Sequence, residues 1–150
     1  MPPCEVWFYH LERTALDQAL PELLEKTVAR GWRALVRSTL KERLEHLDNW
    51  LWAYRDDGFL AHGLADEPEA ARQPILLTTA DDNLNRADVL FLVDGAEEAR
   101  VEGYQRCIDL FDGRDEASVA AARQRWKTAR TLGLAVTYWR QGERGWEKQA

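Results

Sequence analysis

A chain of 150 residues with 45% hydrophobic and 31% charged side chains can bury one contiguous core, which excludes a disordered or fibrous protein. Its formal net charge of −6 argues against a nucleic-acid binder that works through its overall field. No apolar run nears the roughly 20 residues that a bilayer span requires, and no signal-peptide architecture opens the sequence, so a cytoplasmic protein without a membrane partner is expected.

In chain order, residues 5–11 are rich in strand-forming aromatics and predict the first strand. Thr14, followed by Asp17, predicts a helix N-terminus, because a hydroxyl satisfies orphan amides and an acid suits the helix dipole. Leu16, Leu20, Leu23, Leu24 and Val28 give that helix one apolar face, with Gly31 ending it. Pro21 falls inside the pattern and predicts that the regular helix begins there, after an irregular turn. Residues 33–38 read as a short strand, and Thr39 with Glu42 opens a second helix through Leu40, Leu44, Leu47 and Leu51.

Residues 54–74, rich in Gly, Pro and acids, read as a surface excursion. Residues 75–79 and 89–93 read as buried-strand runs, with a turn or one helical turn at 81–87 between them. Residues 104–111 fit a strand or a helix, with Asp112-Gly113 after them favouring the strand, and 118–132 read as a helix closed by a left-handed Gly133. Residues 134–140 form the last expected strand, and residues 141–150 are expected to be a loose tail. Strand–helix alternation predicts a single α/β domain over residues 1–150: a three-layer α/β/α sandwich around an open, mostly parallel, Rossmann-like sheet. The two cysteines, Cys4 and Cys107, lie in strand-like runs and read as small buried hydrophobes rather than disulfide partners.

Such a sheet raises the question of a nucleotide. The first strand-to-helix turn, Leu11-Glu12-Arg13-Thr14, lacks the glycines that let backbone amides approach a phosphate. His10, His46 and His62 show no metal-ligand spacing, and neither cysteine pairs with one of them in sequence. Asp81-Asp82 reads as a solvated turn rather than a cation site, and Ser38 lacks a nucleophile elbow. No catalytic residue, cofactor or metal is expected. A nucleotide-binding or hydrolytic enzyme with an unorthodox site near Arg13 or Asp81 stays as the alternative of another class.

Two surfaces call for a function. Residues 117–142 contain no acid and five cations, so the rest of a chain of net charge −6 carries −11. Within that segment Arg123, Trp126, Lys127 and Arg130 follow at i, i+3, i+4 and i+7 along one helical ridge, with Ala122, Ala129 and Leu132 available as core positions. The spacing leaves two readings open. One is a solvated face with an inward Trp; the other is a site for an acidic peptide with an aromatic side chain and a free α-carboxylate. Direct single-stranded DNA binding, with Trp126 and Trp139 stacking on bases, is a third reading. The second surface is residues 50–60, where Trp50, Trp52, Tyr54, Phe59 and Leu60 exceed what one buried stripe through Leu51 accommodates, and two readings stay open: the aromatics anchor an interface, or the loop folds back over them.

In order, Val6-Trp7-Phe8-Tyr9, Leu24-Glu25-Lys26, Gly31-Trp32-Arg33, Leu51-Trp52, Phe59, His62, Ile75-Leu76-Leu77, Leu110-Phe111-Asp112-Gly113 and Arg123 through Gly133 resemble the chi subunit family of bacterial DNA polymerase III over nearly the whole chain. The resemblance implies a non-catalytic accessory of the clamp loader that binds the acidic, Phe-terminated tail of single-stranded DNA-binding protein. It would thus reach DNA only indirectly. It places the tail site at Arg123, Trp126, Lys127 and Arg130, framed by Gly133, with Trp126 where the family commonly has Tyr. It places a surface for a psi-type subunit, or another clamp-loader component, at Trp52, Phe59 and Leu60, without the proline often found after the aromatic.

Overall fold

The computed structural model describes residues 4–53, 60–97, 103–143 and 145–149. Eight strands join one sheet: β1 (Glu5–Leu11), β2 (Ala34–Arg37), β3 (Gly63–Leu64), β4 (Ile75–Thr78), β5 (Val89–Leu92), β6 (Arg106–Asp112), β7 (Ala135–Gly142) and β8 (Gly145–Lys148), in the order β3-β4-β2-β5-β6-β1-β7-β8. All pairings are parallel except β7 with β8. The central strands β2, β4 and β5 are buried on both faces, which is why they read as unbroken apolar runs rather than alternating ones.

The longer strands alternate strictly. From β1 and β6, Tyr9, Leu11, Ile108 and Leu110 point into the core beneath α1 (Leu16–Ala29) and α2 (Lys41–Ala53). Val6, Phe8, Cys107 and Phe111 point into a second core against α3 (Glu116–Thr131). The result is a three-layer α/β/α arrangement, as the alternation of elements predicts. Both cysteines are buried thiols.

Three local expectations are corrected. The first helix begins at Leu16, so Pro21 lies inside it, and Ala15 rather than Thr14 holds the cap position. Pro21 has no N–H for the Asp17 carbonyl, and the indole N–H of Trp50 in α2 donates to that carbonyl instead. The described part of the excursion between α2 and β4 is partly interior: Leu60, His62 and Ala70 are buried, β3 joins the sheet, and Ala70–Arg72 forms a 3-10 turn. The loose tail is also overturned. The chain turns after Gly142 and returns as β8, where Trp146 stacks on Tyr9 with ring centroids 4.4 Å apart and planes 15° apart. Gly145, at φ 118°, supplies the left-handed backbone of that turn. Under this cover, burial pushes the Tyr9 phenol up to about 12, with Arg106 opposing.

The turn between β4 and β5 is held from inside. Asn85 is fully buried, and its amide donates to the carbonyls of Ala34 and Gln73 at 3.0 and 2.9 Å. Gly113, after β6, has no space for a side chain, since a Cβ there would meet the His10 ring at 2.0 Å.

Candidate functional site

Helix α3 starts where the Asp115 carboxylate accepts from the Ser118 amide and hydroxyl at 3.1 and 2.6 Å, which holds that acid below its ordinary pKa. It ends at Gly133, whose φ of 78° is the left-handed closure read from the sequence. Ala122 and Ala129 face the sheet, and their small side chains let the helix lie close to it. Leu132, expected in the core, is 62% exposed instead, because it is the capping residue and turns outward as the helix unwinds.

Arg125 takes the third inward position. Its guanidinium forks onto Asp109 of β6 at 2.6 and 3.0 Å, and both side chains are nearly buried. Burial holds the Asp109 carboxyl above the usual range, and the Arg125 hydrogen bonds oppose that only in part. Arg140 is likewise taken, by Glu12 at 2.8 and 2.5 Å. Of the five cations in residues 117–142, three remain: Arg123, Lys127 and Arg130. They are exposed, and among the described residues no carboxylate pairs with them.

Trp126 lies half-buried between these cations. Its ring meets Phe8 and Tyr138 edge-on, with centroids 5.8 and 5.7 Å apart, and the Arg130 guanidinium stands 5.7 Å from its centre. Trp126, Arg130, Gly133, Leu134 and Val136 line one open pocket of ≈ 470 Å³. Three of the residues expected at the site therefore meet in one pocket. Arg123 stands on the ridge toward Tyr138, and Lys127 flanks the pocket without lining it. Leu134, Val136 and Tyr138 were missed as site residues, although their period-two spacing on the last strand places them on one face.

Of the second surface, Trp52 is 51% exposed, with its ring 4.2 Å from the His62 imidazole. Leu60 is corrected: at 6% exposure it belongs to the core beneath α2 and offers no contact surface. Phe59 and Tyr54 lie outside the described residues. His62, which was not assigned to this surface, anchors it. Its Nδ1 lies 2.7 Å from the Leu60 carbonyl, and its Nε2 lies 3.0 Å from the Asp48 carbonyl and 3.2 Å from the Asp48 carboxylate.

The rival readings meet specific obstacles. Helices α1 and α3 leave adjacent strands β1 and β6 on opposite faces, which opens a cavity of ≈ 460 Å³ at their carboxyl ends, where nucleotides bind in such folds. Yet the amides of Glu12, Arg13 and Thr14, which would cradle a phosphate there, all donate to the side-chain oxygen of Gln141, at 3.1, 2.7 and 3.0 Å. Trp139 faces the α1 side of the sheet and Trp126 the α3 side, so the two cannot form one stacking platform for bases. Among the described residues no group of three or more His, Cys, Asp or Glu is placed to hold a metal, and no helix is long and apolar enough to cross a membrane.

The comparisons with known proteins follow this geometry. A solved structure, the C-terminal domain of the DEAD-box protein Dbp5, superimposes with a TM-score of 0.53 over 91% of each chain at 14% identity, a likeness of fold alone. "Probable DNA polymerase III subunit chi" of Rickettsia prowazekii (strain Madrid E) is 28% identical over 103 residues, which is 69% of this chain and 62% of that relative's length. The family model described as DNA polymerase III chi subunit, HolC, matches residues 4–137, from just before β1 into β7, and so takes in α1, α2, α3 and the basic ridge. The chain belongs to the DNA polymerase III chi subunit family.

Proposed function

We propose that this chain is a non-catalytic accessory subunit of DNA polymerase III that acts in the cytoplasm during replication. It bridges the clamp loader to single-stranded DNA-binding protein by holding that protein's acidic, Phe-terminated tail. The observation that carries the reading is the conjunction of Trp126, Arg130 and Gly133 in one open pocket, with Arg123 and Lys127 exposed beside it. An aromatic side chain fills the pocket against the indole, and the carboxylates upstream and at the terminus take the guanidinium and ammonium groups. An acidic body with one local basic ridge suits a short anionic peptide better than a long polyanion.

Each charge-assisted contact contributes on the order of 1 kcal/mol, so affinity is modest and falls with salt. Titration of the full chain with a labelled peptide ending Asp-Asp-Pro-Phe tests this. Wild type binds, and the Trp126→Ala/Arg123→Ala double variant loses binding while keeping its fold. Equal binding by the two would sink the reading.

The exposed Trp52, held against His62, together with Phe59, is the proposed surface for a psi-type subunit or another clamp-loader component. Trp52→Ala should abolish co-purification of that component without changing tail-peptide affinity. Loss of both would refute two separate surfaces.

A further inference from the structure

We propose that the tail site continues from α3 onto β7, where the Tyr138 hydroxyl, released by a proton on His10, donates to an acidic residue upstream of the tail's terminal aromatic. This rests on the tail-binding reading above and adds to it a recognition residue and a pH dependence.

The surface is continuous. Val136 lines the pocket, and Tyr138, two residues on along the same strand face, meets Trp126 edge-on at 5.7 Å. Arg123 is close enough for its positive charge to act on both Tyr138 and His10, which puts this pair within reach of an acidic residue held on the ridge. Burial raises the Tyr138 phenol above its ordinary pKa, so it keeps its proton and remains a donor.

The direction of the bond between His10 and Tyr138 decides where that proton points. His10 Nδ1 lies 2.6 Å from the Tyr138 hydroxyl, and Nε2 lies 3.3 Å from the Glu12 carboxylate. A neutral imidazole has one donor and one acceptor. Nε2 is buried and makes no hydrogen bond among the described residues, but the Glu12 carboxylate is the charge nearest to it. In the neutral ring the hydrogen is therefore favoured on Nε2, so Nδ1 accepts and the phenolic proton points inward. An imidazolium donates from both nitrogens. The Tyr138 oxygen then accepts, and its own proton turns outward to a ligand carboxylate.

The groups facing His10 set the sign. They are Glu12 from β1, Tyr138 and Arg140 from β7, Arg123 from α3, the Gly113 backbone after β6, and the Phe111 ring 5.1 Å away. Burial lowers the His10 pKa most, Glu12 opposes, and Arg140 and Arg123 add to the lowering, so the imidazole is neutral at neutral pH. A bound carboxylate raises it again, and by linkage the proton strengthens binding. His46 and His62 pair with Asp17 and Asp48 around α2, on the other side of the sheet, and do not face this groove.

Labelled-peptide titrations of the full chain at several pH values test the proposal, using a peptide ending Asp-Asp-Pro-Phe with further acids upstream. One linked proton limits the gain to tenfold per pH unit, and a tightening of roughly threefold is expected in wild type between about pH 8 and about pH 6. Tyr138→Phe keeps the ring contact with Trp126 and should lose most of the pH dependence, since only the direct charge coupling to His10 remains, and His10→Phe should lose all of it. Wild type and Tyr138→Phe sharing one pH profile overturns the proposal even if His10→Phe does not fold. In that outcome, weakened binding by Trp126→Ala leaves the tail reading standing. Unchanged binding by Trp126→Ala/Arg123→Ala removes the tail reading itself.

Discussion

The indole N–H of Trp50 donates to the Asp17 carbonyl, the one acceptor in α1 that Pro21 leaves without its helical donor. A proline inside a helix ordinarily leaves that carbonyl orphaned, and here a side chain from α2, 33 residues on, replaces the missing backbone donor. The bond also ties α1 to α2 across the same face of the sheet. Trp50→Phe keeps most of the ring packing but removes the donor, and should lower stability by about 1–2 kcal/mol. In a Pro21→Ala background the residue-21 N–H returns to Asp17, so the same change should cost much less. Urea unfolding of the four proteins in this cycle measures the coupling, and strictly additive effects would refute it.

Gly113 is where the turn after β6 meets the ring of His10. A Cβ there would lie 2.0 Å from the His10 Cδ2 and 2.7 Å from the Leu11 carbonyl oxygen, and backbone cannot yield as a flexible side-chain tip does. Gly113→Ala should therefore destabilise the protein by about 1–3 kcal/mol. Because the displaced imidazole also loses its contact with Tyr138, the variant should show altered His10 ring signals by NMR under conditions where it remains folded. An unchanged melting temperature and unchanged ring signals would show that the turn has more room than its geometry implies.

Asp109 and Arg125 form a buried pair whose cost and gain can be separated. Removing Arg125 alone strands a carboxylate among Phe8, Leu92 and α3, so Arg125→Met should cost about 3–5 kcal/mol near neutral pH. Burial already raises the Asp109 pKa, and losing the Arg125 hydrogen bonds raises it further. A carboxyl with a raised folded pKa destabilises the fold while ionised, and this deficit shrinks as pH falls through the folded value. The penalty of Arg125→Met should accordingly be smaller in mildly acidic buffer than at neutral pH. The Asp109→Leu/Arg125→Met double variant should lie within about 1–2 kcal/mol of wild type, since an apolar pair of similar volume needs no desolvation. Denaturant curves across pH check both statements.

The legible parts of the fold were those whose cause is local. Apolar runs marked β2, β4 and β5, helical spacing marked α2 and α3, and Gly133 marked the end of the ridge helix. What escaped depends on partners distant in sequence. Pro21 looks like a helix start unless Trp50 is known to serve Asp17, and Leu60 looks like an exposed anchor until the chain before β3 folds it beneath α2. Arg125 counts toward a basic patch until β6 is known to turn Asp109 toward α3. The ridge itself was readable from spacing, but not its pocket. That pocket needs β7 alongside α3 to bring Leu134 and Val136 to Trp126.

The polar composition of residues 141–150 hides a structural strand, and this can be tested directly. Trp146 is the one large apolar side chain of β8, and it lies flat on Tyr9, which completes the aromatic cover that Trp7 and Trp139 begin over the outer part of the sheet. Among the described residues no helix packs closely on β7 on that face, and the hairpin takes that place. Trp146→Ala should expose Tyr9 and destabilise the chain by about 1–3 kcal/mol. A second, independent signal comes from the phenol. Burial holds Tyr9 at about 12, and uncovering the ring should bring its ionisation down toward the ordinary value near 10. Phenolate absorbance should then appear at lower pH in the variant than in wild type. Trp146→Phe, which can still stack, should fall between the two in both measurements. Matching stability and matching alkaline titration of wild type and Trp146→Ala would return the last residues to a loose tail.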